Sequence, residues 1–438
     1  MKAVNIGLIG LGTVGTGVAK VLTENQEVLF KKVGVPLVLK KIADRDLSRP
    51  RPVDLTGISL TEDAQEVIND PDIDIIIELI GGYEPAKTFI LSALKQKKHV
   101  VTANKALLAL HGEEIFATAS QYGVDVAFEA SVGGGIPLIK GIKEGLVANK
   151  ILCLFGILNG TANYILTKMA DEALPFKEVL KQAQAKGFAE ADPTFDVEGI
   201  DTAHKLAILV ALAYGIPIDF DKIYIEGITQ IQPLDIQFAQ EFGYRIKLLA
   251  ISRHTSAGIE ARVHPTMIPA EHLLANVGGA YNALLVRGNA VGNVLFYGLG
   301  AGMMPTGSAV VSDVVDVARN IIKGTSLRTP ALAYIPEARE TKSILPIDEL
   351  HFKYYFRFFA VDRPGVLSKI SGVLGKYEIS IASVVQKGRE INGTVPIVML
   401  THEAKEANVK QALKEIETLD VVRDKPLFIR IEDELMIE

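Results

Sequence analysis

The chain has 438 residues, 48% hydrophobic and 22% charged, with 38 glycines and 19 prolines. That is too long for one ordinary core, so two or three domains are expected. A net charge of −6 leaves no basic excess for a nucleic-acid or anionic-membrane partner. The single Cys153 cannot close an internal disulfide, which fits a reducing cytoplasm. With no histidine or aspartate cluster around it, Cys153 reads as a small core residue.

The start, MKAVNIGLIGLGTVG, mimics a signal peptide with Lys2 as its charged flank, but glycine spacing explains it better and no small-residue cleavage site follows. The longest apolar run, Leu206 to Ile218, contains Gly215 and Pro217 and is too short to span a bilayer. A soluble, cytoplasmic chain is expected.

Over residues 1–132, VNIGLIG, PLVLKKIAD, DIDIIIELI, KHVVTAN and VDVAFEA read as buried strands, with helical stretches at Glu84 to Lys97 and Gly112 to Tyr122. This alternation predicts an α/β domain with a parallel sheet covered on both faces. Residues 133–302 read as a mixed α+β substrate and dimerisation domain, with a strand at KILCLFGIL, helices from Thr161 and Ile200, and a Gly-rich run from Val291 to Gly302. A helix over 303–325, with Thr306 or Ser308 as possible cap, returns to the first domain. Residues 326–350 hold three prolines without periodicity and read as a linker. The rest, 351–438, reads βαββαβ, the ferredoxin-like split unit.

Gly10-Leu11-Gly12-Thr13-Val14-Gly15 follows a strand and opens a helix. The first glycine permits the tight turn, the second lets backbone approach a pyrophosphate, and the third lets helix pack on strand. The helix N-terminus then offers N–H groups and a positive dipole end to phosphate. By itself the motif is a weak signal; at the head of a βαβ pattern it predicts dinucleotide binding. The second strand ends in Ala43-Asp44-Arg45, where an acid suits a ribose 2′-hydroxyl and an arginine a 2′-phosphate. The pair leans to NADP with NAD tolerated, and Arg49 and Arg51 read nearly as well as a solvated loop.

The stretch GFAEADPTFDVEGIDTAHKLAILVALAYG, 187–215, gathers Glu190, Asp192, Asp196, Glu198 and Asp201 ahead of Lys205. Asp201 and Lys205 are spaced i, i+4 and share a helix face. An isolated pair of this kind is usually a surface ion pair. Here the helix beyond Lys205 is almost wholly apolar, which predicts a partly desolvated charged pocket. Acids around one amine also suit an ammonium ligand. VVTANKALLA places Asn104 and Lys105 at the carboxyl end of a strand, where open parallel sheets bind ligands; Lys105 reads equally well as an ordinary helix-start lysine.

GLGTVG, TANKALLA, EASVGGGIPLI, LNGTANYIL, GFAEADPTFDVEGIDTAHKLAIL and DRPGVL together resemble homoserine dehydrogenase of the monofunctional type with a carboxy-terminal ACT domain, over essentially the whole chain. The resemblance implies reduction of aspartate-4-semialdehyde to homoserine with NAD(P)H, on the route to threonine, methionine and isoleucine. It implies Lys205 as proton donor, Lys105 next to nicotinamide and substrate, and Glu190, Asp196 and Asp201 in the substrate pocket; Asp201, one turn back from Lys205, would hold its amine in place. Gly187 and Gly302 would lie by the cofactor. A sodium ion would be held near the hinge by groups on Glu129, Val132, Gly134 and Ile136, although Gly133-Gly134-Gly135 reads also as a plain flexible hinge. ACT domains border an amino-acid effector at the turn that here is Asp362 to Leu367, so threonine feedback with Gly365 at the site is expected, although the domain reads also as a purely oligomerising one; a homodimer or homotetramer is expected as well. The alternatives are a dehydrogenase of another small amino-acid carbonyl compound, or a non-catalytic dinucleotide sensor, which would need neither lysine.

Overall fold

The computed structural model describes residues 3–386 and 394–433; Lys2 and the outer limits of the first and last expected units lie outside the described residues. Six strands form the first sheet: Val4–Ile9 (β1), Leu37–Ala43 (β2), Ser59–Thr61 (β3), Ile75–Glu78 (β4), His99–Thr102 (β5) and Val126–Ala127 (β6). They are all parallel, in the order β3-β2-β1-β4-β5-β6. Between them run Thr13–Glu24 (α1), Gln26–Val33 (α2), Ala64–Ile68 (α3), Ala86–Lys95 (α4) and Lys105–Tyr122 (α5). Every residue of β4 and β5 is buried, because helices cover both faces; this is why their sequences are apolar runs rather than alternations. The strand order reverses between β1 and β4, which opens a crevice at their carboxyl ends, the dinucleotide position of a Rossmann sheet.

Helix α5 begins seven residues before the expected Gly112. Gly112 is interior to it, and a Cβ there would stand 2.9 Å from the Ile218 side chain: the glycine marks a close approach of the helix to a loop, not a helix start.

After a 3₁₀ turn at Glu129–Ser131 and a short helix, Leu138–Lys140 (α6), come Ile151–Ile157 (β7), Gly160–Glu172 (α7), Phe176–Ala185 (α8), Thr194–Val197 (α9) and Ile200–Tyr214 (α10). Tyr224–Ile225 (β8), Pro233–Glu241 (α11), Tyr244–His254 (β9), Ile259–Pro269 (β10), Tyr281–Gly288 (β11) and Gly292–Leu299 (β12) complete the middle region. The Gly-rich run from Val291 is thus largely a strand, half-exposed at the sheet edge. Helix Met303–Lys323 (α12) then packs along α1, where a Cβ on Gly17 would meet the Met303 carbonyl oxygen at 2.2 Å. It starts at Gly302, so Thr306 and Ser308 lie inside it and neither is the cap. Pro305 is tolerated in the first turn, where its missing N–H has no partner to lose.

The final region contains His351–Ala360 (β13), Val366–Lys376 (α13), Ile381–Gln386 (β14), Val395–Thr401 (β15), Ala404–Lys405 (β16), Glu406–Glu417 (α14) and Leu427–Ile431 (β17). It is not a bead on a string. The second sheet runs β12-β11-β7-β9-β10-β17-β13-β15-β14, so β17 pairs in parallel with β10 and joins the two regions edge to edge. Arg357 on β13 binds Asp235 on α11 through Nε (2.6 Å) and Nη2 (3.2 Å), and Arg262 on β10 pairs with Glu432 beyond β17. Such desolvated pairs hold only while both partners are present.

Residues 326–350 form no free linker. They contain only two 3₁₀ turns, Pro336–Ala338 and Ile347–Glu349, yet Leu332 and Ile344 are buried. Tyr334 stacks on Gly215 and donates from its hydroxyl to the Ala213 carbonyl at 3.0 Å. Arg339 forks onto Glu113 at 2.8 and 2.6 Å. Isolated side-chain anchors leave no periodicity to read.

Candidate active site

Helix α10 is buried from Asp201 to its end, which is why its sequence beyond Lys205 is apolar on every face. It starts after Gly199 (φ 82°) and stops at Gly215 (φ 64°), both left-handed positions that glycine takes without a Cβ penalty. In its first turns this helix carries Asp201 and Lys205, both more than nine-tenths buried.

Lys205 Nζ donates to Asp201 Oδ2 at 2.7 Å and to the Leu158 carbonyl at 2.6 Å. An ammonium has three N–H groups, so one remains for a ligand. Asp201 Oδ1 faces Lys105 Nζ at 3.2 Å. Asn159, the N-cap of α7, joins the acids: its Nδ2 donates to Asp196 Oδ1 at 2.7 Å and to Asp201 Oδ2 at 2.9 Å, while its Oδ1 accepts from the Ala162 N–H. Two amines and two carboxylates thus form one cluster, which meets the requirement that buried charges be paired.

The acids are driven apart electrostatically. Burial alone would raise Asp201, but the ammonium groups of Lys205 and Lys105 prevail and hold it well below the usual carboxylate range. Asp196 moves the other way: burial pushes it up, Asn159 offsets part of this, and Asp201 adds repulsion. Asp201 is therefore the permanent anion of the pair.

The first sheet brings Lys105 to this cluster. Asn104 caps α5 by accepting from the Leu107 N–H at 3.2 Å, which sets Lys105 at the first helical position. Below it, buried Glu78 at the end of β4 accepts from the Thr102 hydroxyl at 2.7 Å and the Ile80 N–H at 2.8 Å, tying the loops after β4 and β5 together.

At the other end of the crevice lies a cavity of about 450 Å³ lined by Gly10, Gly12, Asp44, Arg45 and Ile80 among others. Gly10 sits at φ 100°, and a Cβ on Gly15 would fall 2.0 Å from the Gly10 carbonyl oxygen, so the first and third glycines have the expected backbone roles. A Cβ on Gly12 would meet nothing in the protein; that glycine is not needed for packing and leaves room for a ligand. No side chain caps α1, so the N–H groups at Thr13 and Val14 keep the helix end open to phosphate. The residues present fit a dinucleotide.

The second-strand charges separate cleanly. Asp44 Oδ2 accepts from the Leu11 N–H at 2.5 Å and Oδ1 from Arg51 at 3.1 Å. Arg51 also reaches the Leu11 carbonyl at 2.9 Å; it braces the glycine turn rather than lying solvated. Arg45 lines the cavity.

Three expected positions stand apart from the lysine cluster. Gly187 (φ 75°) is exposed. Glu190 is exposed too, and among the described residues its carboxylate pairs with neither lysine; only its carbonyl is engaged, by Gln184 at 3.1 Å. Gly302 (φ 121°) opens α12. The Glu129 side chain accepts from the Ile139 and Lys140 N–H groups, both at 2.8 Å, and burial, then Asp313, push its carboxyl up to about 7. Cys153 lies on β7, half-buried, with a free thiol. The sequence reading assigned no role to Asn159 and Glu78; a polar residue at a strand's carboxyl end was their only available signal.

A dinucleotide crevice whose far end meets a buried, acid-held ammonium defines an NAD(P)-dependent oxidoreductase acting at a CH–OH carbon. Family models place homoserine dehydrogenase at 137–315, its NAD-binding domain at 10–129 and an ACT domain at 354–421. The homoserine dehydrogenase of Pseudomonas aeruginosa is 49% identical over 434 residues, 99% of each chain, and that of Bacillus subtilis is 42% identical over 435 residues, also 99% of each. A crystal structure of homoserine dehydrogenase from Thiobacillus denitrificans matches with TM-score 0.93 and 49% identity over 99% of both chains. A hyperthermophilic archaeal homoserine dehydrogenase in complex with NADPH matches 75% of this chain and all of its own, with TM-score 0.63 and 26% identity. The chain belongs to the homoserine dehydrogenase family, and its activity is the NAD(P)-dependent interconversion of L-aspartate-4-semialdehyde and L-homoserine. Among the described residues, no helix is long and apolar enough to cross a membrane.

Proposed function

We propose that Lys205 is the proton donor of this reaction and Asp201 the group that orients it. The observation carrying this is that Lys205 Nζ is buried with two N–H groups committed, to Asp201 and Leu158, and a third left over. When bound, the reduced dinucleotide supplies hydride to the aldehyde carbon. Negative charge then develops on the carbonyl oxygen, where an ammonium both stabilises it and gives up a proton. Lys105, held by the other oxygen of Asp201, offers a second positive charge to the substrate's carboxylate or oxygen. In the oxidation direction Lys205 must receive the proton as a neutral amine, so that direction favours alkaline pH. Loss of NAD(P)⁺ reduction with homoserine in the Lys205 variant considered below is the test.

Glu190 and Asp196 would receive the substrate's ammonium. Asp196 already faces the cluster, whereas exposed Glu190 would close over it with its loop. Glu190→Gln is expected to raise the homoserine KM on the order of tenfold, the worth of one charge-assisted contact, while the dinucleotide KM stays put. A change confined to the dinucleotide KM would remove Glu190 from the substrate pocket.

NADP is the proposed preferred dinucleotide, with NAD accepted. Asp44 is engaged with the glycine turn, and Arg45 stands at the cavity where a 2′-phosphate would lie. Arg45→Ala should raise the NADP KM roughly tenfold, as for a lost charged hydrogen bond, and leave that for NAD within twofold (about 0.4 kcal/mol). Equal changes for both would refute this role. A sodium ion is proposed on the carbonyls of Glu129, Val132, Gly134 and Ile136. The turn there is wound by Gly133 (φ 74°) and Gly134 (φ 55°) and presents neutral oxygen donors, the type a hard cation takes. Threonine feedback through the ACT domain, a homodimeric or homotetrameric assembly and a cytoplasmic location complete the reading.

A further inference from the structure

Asn282 on β11 is 0% exposed, and among the described residues neither Oδ1 nor Nδ2 of its side-chain amide has a hydrogen-bond partner. An amide offers two donors and an acceptor oxygen, and leaving them empty in a core is unfavourable, so buried groups of this kind are nearly always paired. Strand alternation puts Asn282 on the same face as Leu284 and Val286, which share one apolar core with Leu206 and Leu209 of α10. An apolar residue would pack there without penalty. A glycine makes the slot that the amide fills: a Cβ on Gly300 would collide with Nδ2 and Cγ of Asn282 and stand 2.6 Å from Oδ1. Gly300 is not among the glycines at positive φ, so its missing side chain serves space rather than backbone conformation.

That slot lies where the chain passes between its two sheets. β6 ends at Ala127 in the first sheet and β7 begins at Ile151 in the second; β12 ends at Leu299, and α12 returns to pack on α1. The two crossings touch each other. The Gly135 N–H donates to the Leu299 carbonyl at 3.1 Å, and a Cβ on Gly134 would collide with the Gly300 carbonyl and stand 2.8 Å from the Ala301 nitrogen. Asn282 pairs with Gly298 in the β11–β12 ladder, two residues before Gly300. On the other side of β11, Ala283 pairs with Ile157, next to Leu158, whose carbonyl accepts from Lys205. Any change in the angle between the two regions therefore moves the 299–302 backbone across the amide, one strand away from the anchor of the proton donor.

We propose that Asn282 is a positioning residue for the reaction: as the dinucleotide-binding and substrate regions close on their two reactants, peptide groups of the 299–302 crossing move onto its amide, and this pairing holds the crevice closed over the Lys205 cluster. The amide touches neither reactant and acts through the crossing. A group that is unpaired in one arrangement and paired in another shifts the balance toward the second by the difference between them. Its loss leaves the reactants less well held together, and reaction rates are sensitive to such misplacement.

The test is a double-mutant cycle on the full chain, at one fixed sodium concentration, reading Tm and the kinetics of homoserine oxidation. Gly300→Ala alone is expected to lower Tm, because its methyl and the amide compete for one space. Adding Asn282→Ala should bring Tm back at least to the parent value, since a methyl then stands where an unpaired amide stood. The kinetics should not return with it. In the double variant and in Asn282→Ala alone, the homoserine KM at saturating dinucleotide should stay raised roughly tenfold, about 1.4 kcal/mol, while the Kd of the dinucleotide alone is unchanged. The rise in Tm on adding homoserine together with the reduced dinucleotide should also be smaller than in the parent. A homoserine KM that is unchanged in Asn282→Ala, or that recovers with Tm in the double variant, overturns the proposal. So does a double variant that is less stable than Gly300→Ala or fails to fold, because the amide would then be an ordinary structural partner.

Discussion

Replacing Lys205 with methionine is expected to lower kcat in both directions by on the order of 10²–10⁴-fold, the usual contribution of a positioned general acid or base, with the fold intact. Methionine keeps the length and apolar stem that α10 buries, so the variant isolates the amine. It also leaves Asp201 with Lys105 and Asn159 as partners, which limits the cost of the unpaired acid. Cofactor binding should persist, because the glycine turn and Arg45 line the opposite end of the crevice. Dinucleotide fluorescence titration together with stopped-flow turnover checks both halves. A variant with near-normal kcat would return Lys205 to the status of a structural ion pair.

Asp201→Asn should be nearly as severe for a different reason. The substitution keeps shape but removes the one anion that neutralises two ammonium groups, at 2.7 Å from Lys205 and 3.2 Å from Lys105. Lys205, buried, and Lys105, part-exposed, are then left as two like charges that repel, and breaking the buried pair of Asp201 with Lys205 costs about 3–5 kcal/mol. Misplacement of the donor then lowers kcat on the order of 10²-fold. Stability has its own pH dependence. Asp201 is depressed in the folded state, so its contribution is present above the unfolded value of 3.8 and is lost as pH falls through the folded one. The variant should lack this acid-side loss. A variant as stable as the parent at pH 7, with an unchanged kcat, would show that the two amines do not depend on Asp201.

Much of the geometry of this site was legible in the sequence, because its signals are local. Gly10, Gly12 and Gly15 act through backbone geometry fixed by their spacing, and Asp201 and Lys205 meet because i and i+4 share a helix face. Lys105 was only half legible: its place at a strand's carboxyl end follows from the sequence, but its contact with Asp201 spans 96 residues of chain and belongs to tertiary packing. Asn159 was invisible as a site residue for the same reason, since an N-cap asparagine looks alike whether or not two acids converge on its amide. The βαββαβ order of the last region was readable from periodicity. Its union with the catalytic sheet was not, because the β10–β17 pairing is set by register and buried arginines rather than by any local pattern. The docked 326–350 stretch failed to announce itself for want of repeating contacts.

The central claim concerns one proton and the amine that carries it. A crystal structure of the enzyme with homoserine and the reduced dinucleotide, a dead-end pair that cannot turn over, measures it directly. The account predicts Lys205 Nζ within about 2.6–3.2 Å of the homoserine side-chain hydroxyl, hydrogen-bond reach for an acid–base group, with Asp201 still bound to the amine. A hydroxyl resting on Lys105 or on water alone, with Lys205 turned wholly toward Asp201 and Leu158, would contradict it.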